Sequence, residues 1–343
     1  MEIKAPRITD VARLAGVSTA TVSRALSKPE TVAESTRNAV LAAAEESGYR
    51  VNLSARNLRR QRTGAIVVLV PNLGNPFFSE ILAGIELALA KAGFNMLVVD
   101  TRQVRTKPQL VSEYLHATRA DGIIALDGSL PDEVLSAALS GIGAPPIIFA
   151  CEWTASDRFP SVRADNVHGA RLAIAHLLDL GHSRIGMVLG PADNVLTVAR
   201  SEGADQELRA RGLGFSAAHL FAGDFSIEAG ARAATIWLGL PDRPSAVFCQ
   251  SDQMAFGFIS ELAHNGVSTP ADVSVVGFDD IDIACRFIPA LTTVRQPRTA
   301  LGVSAAEMLI RHVQAPSTPA MALEKTVIDV ELIARDSTRW VAG

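Results

Sequence analysis

Asp10-Val11-Ala12-Arg13-Leu14-Ala15-Gly16-Val17-Ser18-Thr19-Ala20-Thr21-Val22-Ser23-Arg24-Ala25-Leu26 is the stretch from which the rest of the chain can be read. From Ile8 to Ala15 the apolar residues Val11, Leu14 and Ala15 stand at i, i+3 and i+4, which predicts a short helix with Thr9 at its N-cap. Gly16 supplies the tolerance of positive φ that a tight turn needs. Ser18 is suited to cap a second helix running to Leu26. Val22, six residues beyond Gly16, is placed to pack beneath the turn, and Ala12 is small where the two helices cross. This is the pattern of a helix-turn-helix. A third helix is expected from about Ser35 to Ser47, with Ala39, Val40, Ala43 and Ala44 on one face and Gly48 as its terminator.

Charge separates this head from the rest of the chain. Residues 1–62 hold eleven Lys/Arg against six Asp/Glu, a net of +5, while the whole 343-residue chain carries −4, leaving −9 on the body. A basic head on an acidic body points to a nucleic-acid or anionic partner for the head, with a solvated helix face as the plainer alternative.

The quoted run, followed by Thr36-Arg37, resembles the N-terminus of the lactose/galactose repressor (LacI/GalR) family of transcription regulators. The resemblance implies that Thr19, Ala20 and Arg24 meet base edges in the DNA major groove, Arg24 being able to pair bidentately with guanine and Ala20 offering only apolar contact. It places Ser18, Thr21, Ser23, Thr36 and Arg37 against phosphate oxygens; for the serines and threonines ordinary capping is an equal alternative, compatible with that role.

Residues 51–63 read as a linker. Asn52-Leu53-Ser54-Ala55-Arg56-Asn57-Leu58-Arg59-Arg60-Gln61-Arg62 is basic and too short to hold itself in a helix, so disorder is expected without DNA. In the resembling family this segment folds as a hinge helix in the minor groove, where a leucine within Ala-x-x-Leu wedges between base pairs. Ala55-Arg56-Asn57-Leu58 matches, making Leu58 the wedge with Ala55 and Arg56 beside it. A simple tether is the alternative.

From Gly64 onward apolar runs alternate with amphipathic segments: Ala65–Val70, Asn95–Asp100, Gly122–Leu126 and Ile147–Ala150 as strands, with helices expected over 79–92, 107–119 and 132–139. A second series begins after Phe159-Pro160, with helices over 167–180, 199–211, 227–238 and 252–264 and strands over 185–189, 246–249 and 273–277. This predicts an α/β body of two similar, doubly wound parallel-sheet lobes with a cleft between them. The first lobe is expected over about 64–161 and 292–324, and the second over about 162–291 and 325–343, with Leu291–Pro297 crossing back before a helix over 300–313 and a last strand within 327–333.

Ligands in such folds bind at the carboxyl ends of strands. Asn75, Phe77 and Phe78 come after the first strand and Glu152 and Trp153 after the fourth; Arg200, Phe225, Ser251, Asp252, Asp279 and Gln296 lie in later loops or helix starts. Aromatic faces with carboxylates and one arginine suit a polyhydroxylated ring. Phe77 and Phe78 could equally be core, and Asp279 a loop cap. The body resembles the type I periplasmic-binding-protein fold that the family carries after its hinge. By that resemblance Asn75, Phe77, Phe78, Arg200, Phe225, Asp279 and Gln296 match the positions at which ribose-binding relatives hold their sugar; Ser251 departs, asparagine standing there in those relatives. Pro76–Ile81, Gly223–Phe225, Val247–Asp252 and Ile281-Asp282 resemble nucleoside-responsive members, which implies a nucleoside effector, with Arg200 and Asp279 on ribose hydroxyls and Phe77, Phe225 or Trp153 stacking.

The expected partners are operator DNA, a small effector that is a nucleoside or a sugar, and a second copy of the chain. A homodimer is expected because the C-terminal segment shows no leucine heptads. The expectation is a regulator acting in the cytoplasm: Met1–Asp10 lacks a signal-peptide core, no stretch approaches the ~18–20 apolar residues that span a bilayer, and Cys151, Cys249 and Cys285 read as reduced thiols. No metal or cofactor is expected, since His-x-x-x-His, Cys-x-x-Cys and phosphate-loop spacings are all missing. An enzyme is disfavoured on the same ground. A transporter's solute-binding protein would fit the body but not the basic head.

Overall fold

The computed structural model describes residues 6–49, 63–102, 120–131, 133, 135, 145–314 and 324–341. The linker residues Ala55, Arg56 and Leu58 and the helix expected over 107–119 lie outside the described residues, as does most of that over 132–139. The chain divides into two units, Met1–Thr63 and Gly64–Gly343.

In the first unit, α1 (Ile8–Leu14) and α2 (Thr19–Ser27) are joined by a turn at Gly16, whose φ is +65°. A 3-10 turn at Pro29–Thr31 leads to α3 (Glu34–Ser47), which ends at Gly48 with φ +66°. The Val17 N–H closes α1 on the Ala12 carbonyl at 3.0 Å, the six-to-one bond of a left-handed C-cap. The core is small: Val11, Ala12, Val22, Ala25, Val40 and Ala43. Three details differ from the sequence expectation. Arg7, not Thr9, begins α1, its N–H donating to the Asp10 carboxylate at 2.9 Å. Leu14 is 42% exposed and Ala39 is exposed, because three short helices cover only a narrow stripe of each neighbour.

The second unit holds two six-stranded sheets. The first runs in the order β11-β5-β4-β3-β1-β2, with β1 (Ala65–Val70), β2 (Asn95–Asp100), β3 (Gly122–Ala125), β4 (Ile147–Ala150), β5 (Ser161–Ala164) and β11 (Lys325–Ile328). The second repeats that plan as β12-β10-β9-β8-β6-β7, with β6 (Ile185–Val188), β7 (Leu220–Phe221), β8 (Ala246–Cys249), β9 (Ser274–Asp279), β10 (Thr292–Arg295) and β12 (Glu331–Ile333). All pairings are parallel except β10 with β12. Along β1 the strand period of two is visible in the packing: Ile66, Val68 and Val70 join one core, Val67 and Leu69 another.

Helices cover the sheets: α4 (Phe77–Ala92), α5 (Asn166–Asp179), α6 (Val195–Ala210), α7 (Ile227–Gly239), α8 (Asp252–His264) and α9 (Arg298–Gln314). The pair α4 and α9 cross at two glycines. A Cβ on Gly84 would lie 2.3 Å from the Thr299 carbonyl oxygen, and one on Gly302 2.1 Å from that of Ile81.

The lobe boundaries expected from sequence are corrected by the strand order. β10 belongs to the second sheet, paired with β9, so the chain returns to the first lobe after Arg295 rather than before Thr292. β5 and β11 pair with each other in the first sheet, which moves Val162–Ala164 and Lys325–Ile328 out of the second lobe. The single last strand expected within 327–333 is two strands, one in each sheet. Among the described residues no helix is long and apolar enough to cross a membrane.

Candidate functional site

On α2 the buried pair Val22 and Ala25 fixes one face inward, and Thr19, Ala20 and Arg24 are exposed on the other. Ser18 caps the helix: its Oγ accepts the Thr21 N–H at 3.1 Å and lies 2.9 Å from the Thr21 hydroxyl. Arg24 Nε donates to the Ala20 carbonyl at 3.4 Å, holding the guanidinium along the helix surface. Ser23, Thr36 and Arg37 are partly exposed, Arg37 standing 3.9 Å from Glu34. The face is therefore a helix start bearing hydroxyls and an exposed arginine, which is chemistry suited to phosphate and guanine edges.

In the body, each sheet reverses its strand order at its first strand, so that the connections leaving the paired strands β1 and β3, and β6 and β8, run in opposite directions and make a topological switch point where a ligand crevice is expected. A cavity of about 730 Å³ opens there, with a small inner pocket of about 40 Å³ beneath it. The inner pocket is lined by eight of the residues expected from sequence: Asn75, Phe77, Phe78, Glu152, Arg200, Phe225, Ser251 and Asp279.

Arg200, on α6, is 2% exposed. Its Nε donates to Asn166 Oδ1 at 2.8 Å, its Nη1 to the Gln250 carbonyl, and its Nη2 stands 3.8 Å from Asp279 Oδ1. The guanidinium lies 3.8 Å over the Phe278 ring, with Phe225 at 6.0 Å. Asp279 and Phe225 both have positive φ, +126° and +64°, uncommon for side-chain-bearing residues and frequent at sites that aim a group. Asp279 accepts from Gln296 Nε2 at 2.8 Å, and the buried Gln296 Oε1 accepts no hydrogen bond from the described residues. Burial pushes Asp279 up to about 6, against the pull of Arg200 and Gln296. Burial and the neighbouring Asp127 push Glu152 up to about 7, although it accepts the Gly128 N–H at 2.7 Å and Asn194 Nδ2 at 3.0 Å. The last bond joins the two lobes. The arrangement offers ionised and acid acceptors, a fixed guanidinium and two aromatic walls, a set that fits vicinal hydroxyls below and a planar or apolar face above.

Three expected residues stand elsewhere. Trp153 does not line the cavity; the Arg163 guanidinium covers its ring at 4.2 Å. Asp252 faces away and ties the second lobe together, accepting the Ile281 N–H at 2.9 Å and the Thr293 hydroxyl at 2.5 Å. Gln296 is set behind Asp279 rather than in the wall. Asn166, Asn194, Asp127, Gln250 and Asp224 were not singled out in the sequence. A signal existed for Asn194, an asparagine directly before Val195-Leu196 that caps α6 through the Leu196 N–H at 2.8 Å.

Comparison with known proteins agrees with this architecture. Residues 7–52 match the family model for bacterial regulatory proteins of the lacI family, and residues 174–338 match a periplasmic binding protein-like domain. The HTH-type transcriptional repressor CytR of Escherichia coli strain K12 is 37% identical over 335 residues, 98% of this chain and 97% of that protein. The PurR repressor of Photobacterium profundum is 33% identical over 97% of this chain and 98% of its own. Among solved structures, the lac repressor dimer bound to operator and the anti-inducer ONPF superposes with a TM-score of 0.82 at 29% identity, over 98% of this chain and all of that one. A complex of the regulator CelR with cellobiose gives 0.72 at 30% identity, over 97% and 99%. With a helix-turn-helix unit, a two-lobed body and near full-length identity all in accord, the chain belongs to the lacI family of bacterial regulatory proteins.

Proposed function

We propose that the protein is a transcriptional repressor, acting on DNA in the cytoplasm, that binds a pseudo-palindromic operator as a homodimer and is controlled by a nucleoside held in the cleft. Thr19, Ala20 and Arg24 read base edges; Ser18, Thr21, Ser23, Thr36 and Arg37 hold phosphates; Leu58 of each copy, flanked by Ala55 and Arg56, wedges into the minor groove. Arg200 and Asp279 bind the ribose hydroxyls, and Phe225 and Phe78 flank the ring system. Support for a dimer comes from apolar side chains left uncovered on the first lobe, Leu87 on α4 and Leu97 and Val98 on the edge strand β2. Ligand closing the lobes on each other shifts the dimer away from the arrangement that brings two Leu58 wedges together, and operator affinity falls.

The observation that carries the effector assignment is the buried Arg200–Asp279 pair lining the inner pocket of a roomy cavity. The test is a thermal-shift screen of the full chain against nucleosides, nucleobases, pentoses and hexoses. A ligand at ~100 times its dissociation constant adds about 2.7 kcal/mol of stability. A nucleoside is expected to stabilise the wild type and not Asp279→Ala. Stabilisation by a sugar alone would keep the repressor and replace its effector. That second reading has a specific basis: a regulator of this family from Enterococcus faecium, 29% identical with a TM-score of 0.72, was solved with bound ribose.

A further inference from the structure

Charge in the cleft is lopsided. Among the described residues, Asp127, Glu152, Asp193, Asp224 and Asp279 line it, against the two cations Arg102 and Arg200. Both guanidinium groups are already engaged. Arg102 is clasped by Asp100, with Nε at 3.1 and 3.0 Å and Nη2 at 2.6 Å from the carboxylate oxygens. Arg200 is fixed by Asn166 and the Gln250 carbonyl, and its charge faces the Asp279 carboxylate at 3.8 Å, so it keeps Nη2 hydrogens for a ligand hydroxyl while its charge is already balanced.

Helix starts are the other usual holders of a phosphate. Four open on the cleft, α4 at Asn75, α6 at Asn194, α7 at Ser226 and α8 at Ser251, and each holds an oxygen of the chain itself, Asn75 Oδ1 taking the Phe77 N–H at 3.0 Å and Ser251 Oγ that of Met254 at 3.3 Å. Asn194 Oδ1 takes the Leu196 N–H, and Ser226 Oγ takes that of Ala229 at 3.1 Å. Asp224 takes the Ser226 N–H at 3.0 Å and adds a negative charge at that same helix start.

Glu152 stands where the inner pocket meets the wider cavity, lining both, and is 6% exposed. An ionised carboxyl offers about four lone-pair sites. Gly128 and Asn194 fill two of them, which leaves acceptor capacity on a carboxyl that lines the cleft.

We propose that the cleft selects a phosphate-free effector and that Glu152 sets this selectivity, accepting an N–H or O–H from the outer end of the ligand and repelling a phosphoryl group placed there. The proposal rests on the cleft being the effector site. The experiment is isothermal titration of the full-length protein with matched pairs: cytidine and cytidine 5′-monophosphate, ribose and ribose 5-phosphate, glucose and glucose 6-phosphate. A buffer at about pH 8 keeps both Glu152 and the phosphate monoester ionised. A neutral member is expected to bind, and its phosphate ester to bind at least about tenfold more weakly. Glu152→Gln is expected to bring that ratio to within about threefold, and Asp193→Asn, an exposed acid at the mouth, to reduce it by a smaller factor that shrinks further as salt is added. An ester that binds as tightly as its neutral partner, or more tightly, overturns the proposal and leaves the effector site standing. A ratio unmoved in Glu152→Gln also overturns it; if that variant does not fold, the ratio in Asp193→Asn decides. Binding by no member of any pair removes the effector assignment and the selectivity with it.

Discussion

Glu152 and Asp279 hold their protons longer in the folded protein than in the unfolded chain, from ordinary values of 4.5 and 3.8 to about 7 and about 6. Their cost to stability is absent below the ordinary values, grows as pH rises, and is complete above the folded ones, so the body is expected to lose stability between about pH 4 and pH 7. Glu152→Gln removes one such cost. It is expected to stabilise the protein by about 1–2 kcal/mol at pH 8 and by almost nothing near pH 4.5, measured by urea denaturation at the two pH values. Arg24→Ala, by contrast, touches an exposed side chain: operator affinity is expected to fall by about 1–3 kcal/mol, most strongly for the native base at the contacted position, with melting unchanged. Arg200, Asp279 and Phe225 were legible as a set because charged and aromatic side chains at strand ends have few structural uses. Trp153 and Asp252 were not, since each takes its direction from a partner distant in sequence or in another strand, Arg163 for one and Thr293 for the other.

Helices and strands were read most accurately where the pattern was long. β1 and α8 fall where expected, whereas α6 begins at Val195, four residues before the expected start, because its Asn194 cap and not its apolar period sets the boundary. β5 escaped notice since four residues with one arginine carry no readable alternation, and with it went the correct lobe boundary. The two kinds of glycine in these elements predict different responses to alanine. At Gly302 the new methyl meets the Ile81 backbone, and Gly302→Ala is expected to destabilise the body by about 1–3 kcal/mol through forced separation of α4 and α9. At Gly16 nothing lies within 4 Å, so only the positive φ is strained, and Gly16→Ala is expected to cost the head about 1 kcal/mol. Chemical denaturation of each variant, tracked by a probe of the affected unit, checks both values.

The plan of the molecule was legible in outline: a basic three-helix head, then an acidic body whose second half repeats the first. The head has only valines and alanines at its centre, in a unit too short to bury much apolar surface, so it is expected to unfold at lower urea than the body and to be stabilised by operator DNA. The chain's tryptophans, Trp153, Trp237 and Trp340, all lie in the body. Far-UV circular dichroism should therefore show an early step that tryptophan fluorescence lacks; coincident curves would contradict it. Within the body, Lys325 pairs with Ser161 and Glu331 with Arg295, so each sheet receives its final edge strand from the same short run of sequence. That places a schedule on synthesis. Because the ribosome delivers residues in order, neither lobe can close its sheet until that run has emerged, whereas the three head helices all lie upstream of β1. The helix-turn-helix unit is thus finished before either lobe, and the two lobes complete their sheets together on that one run.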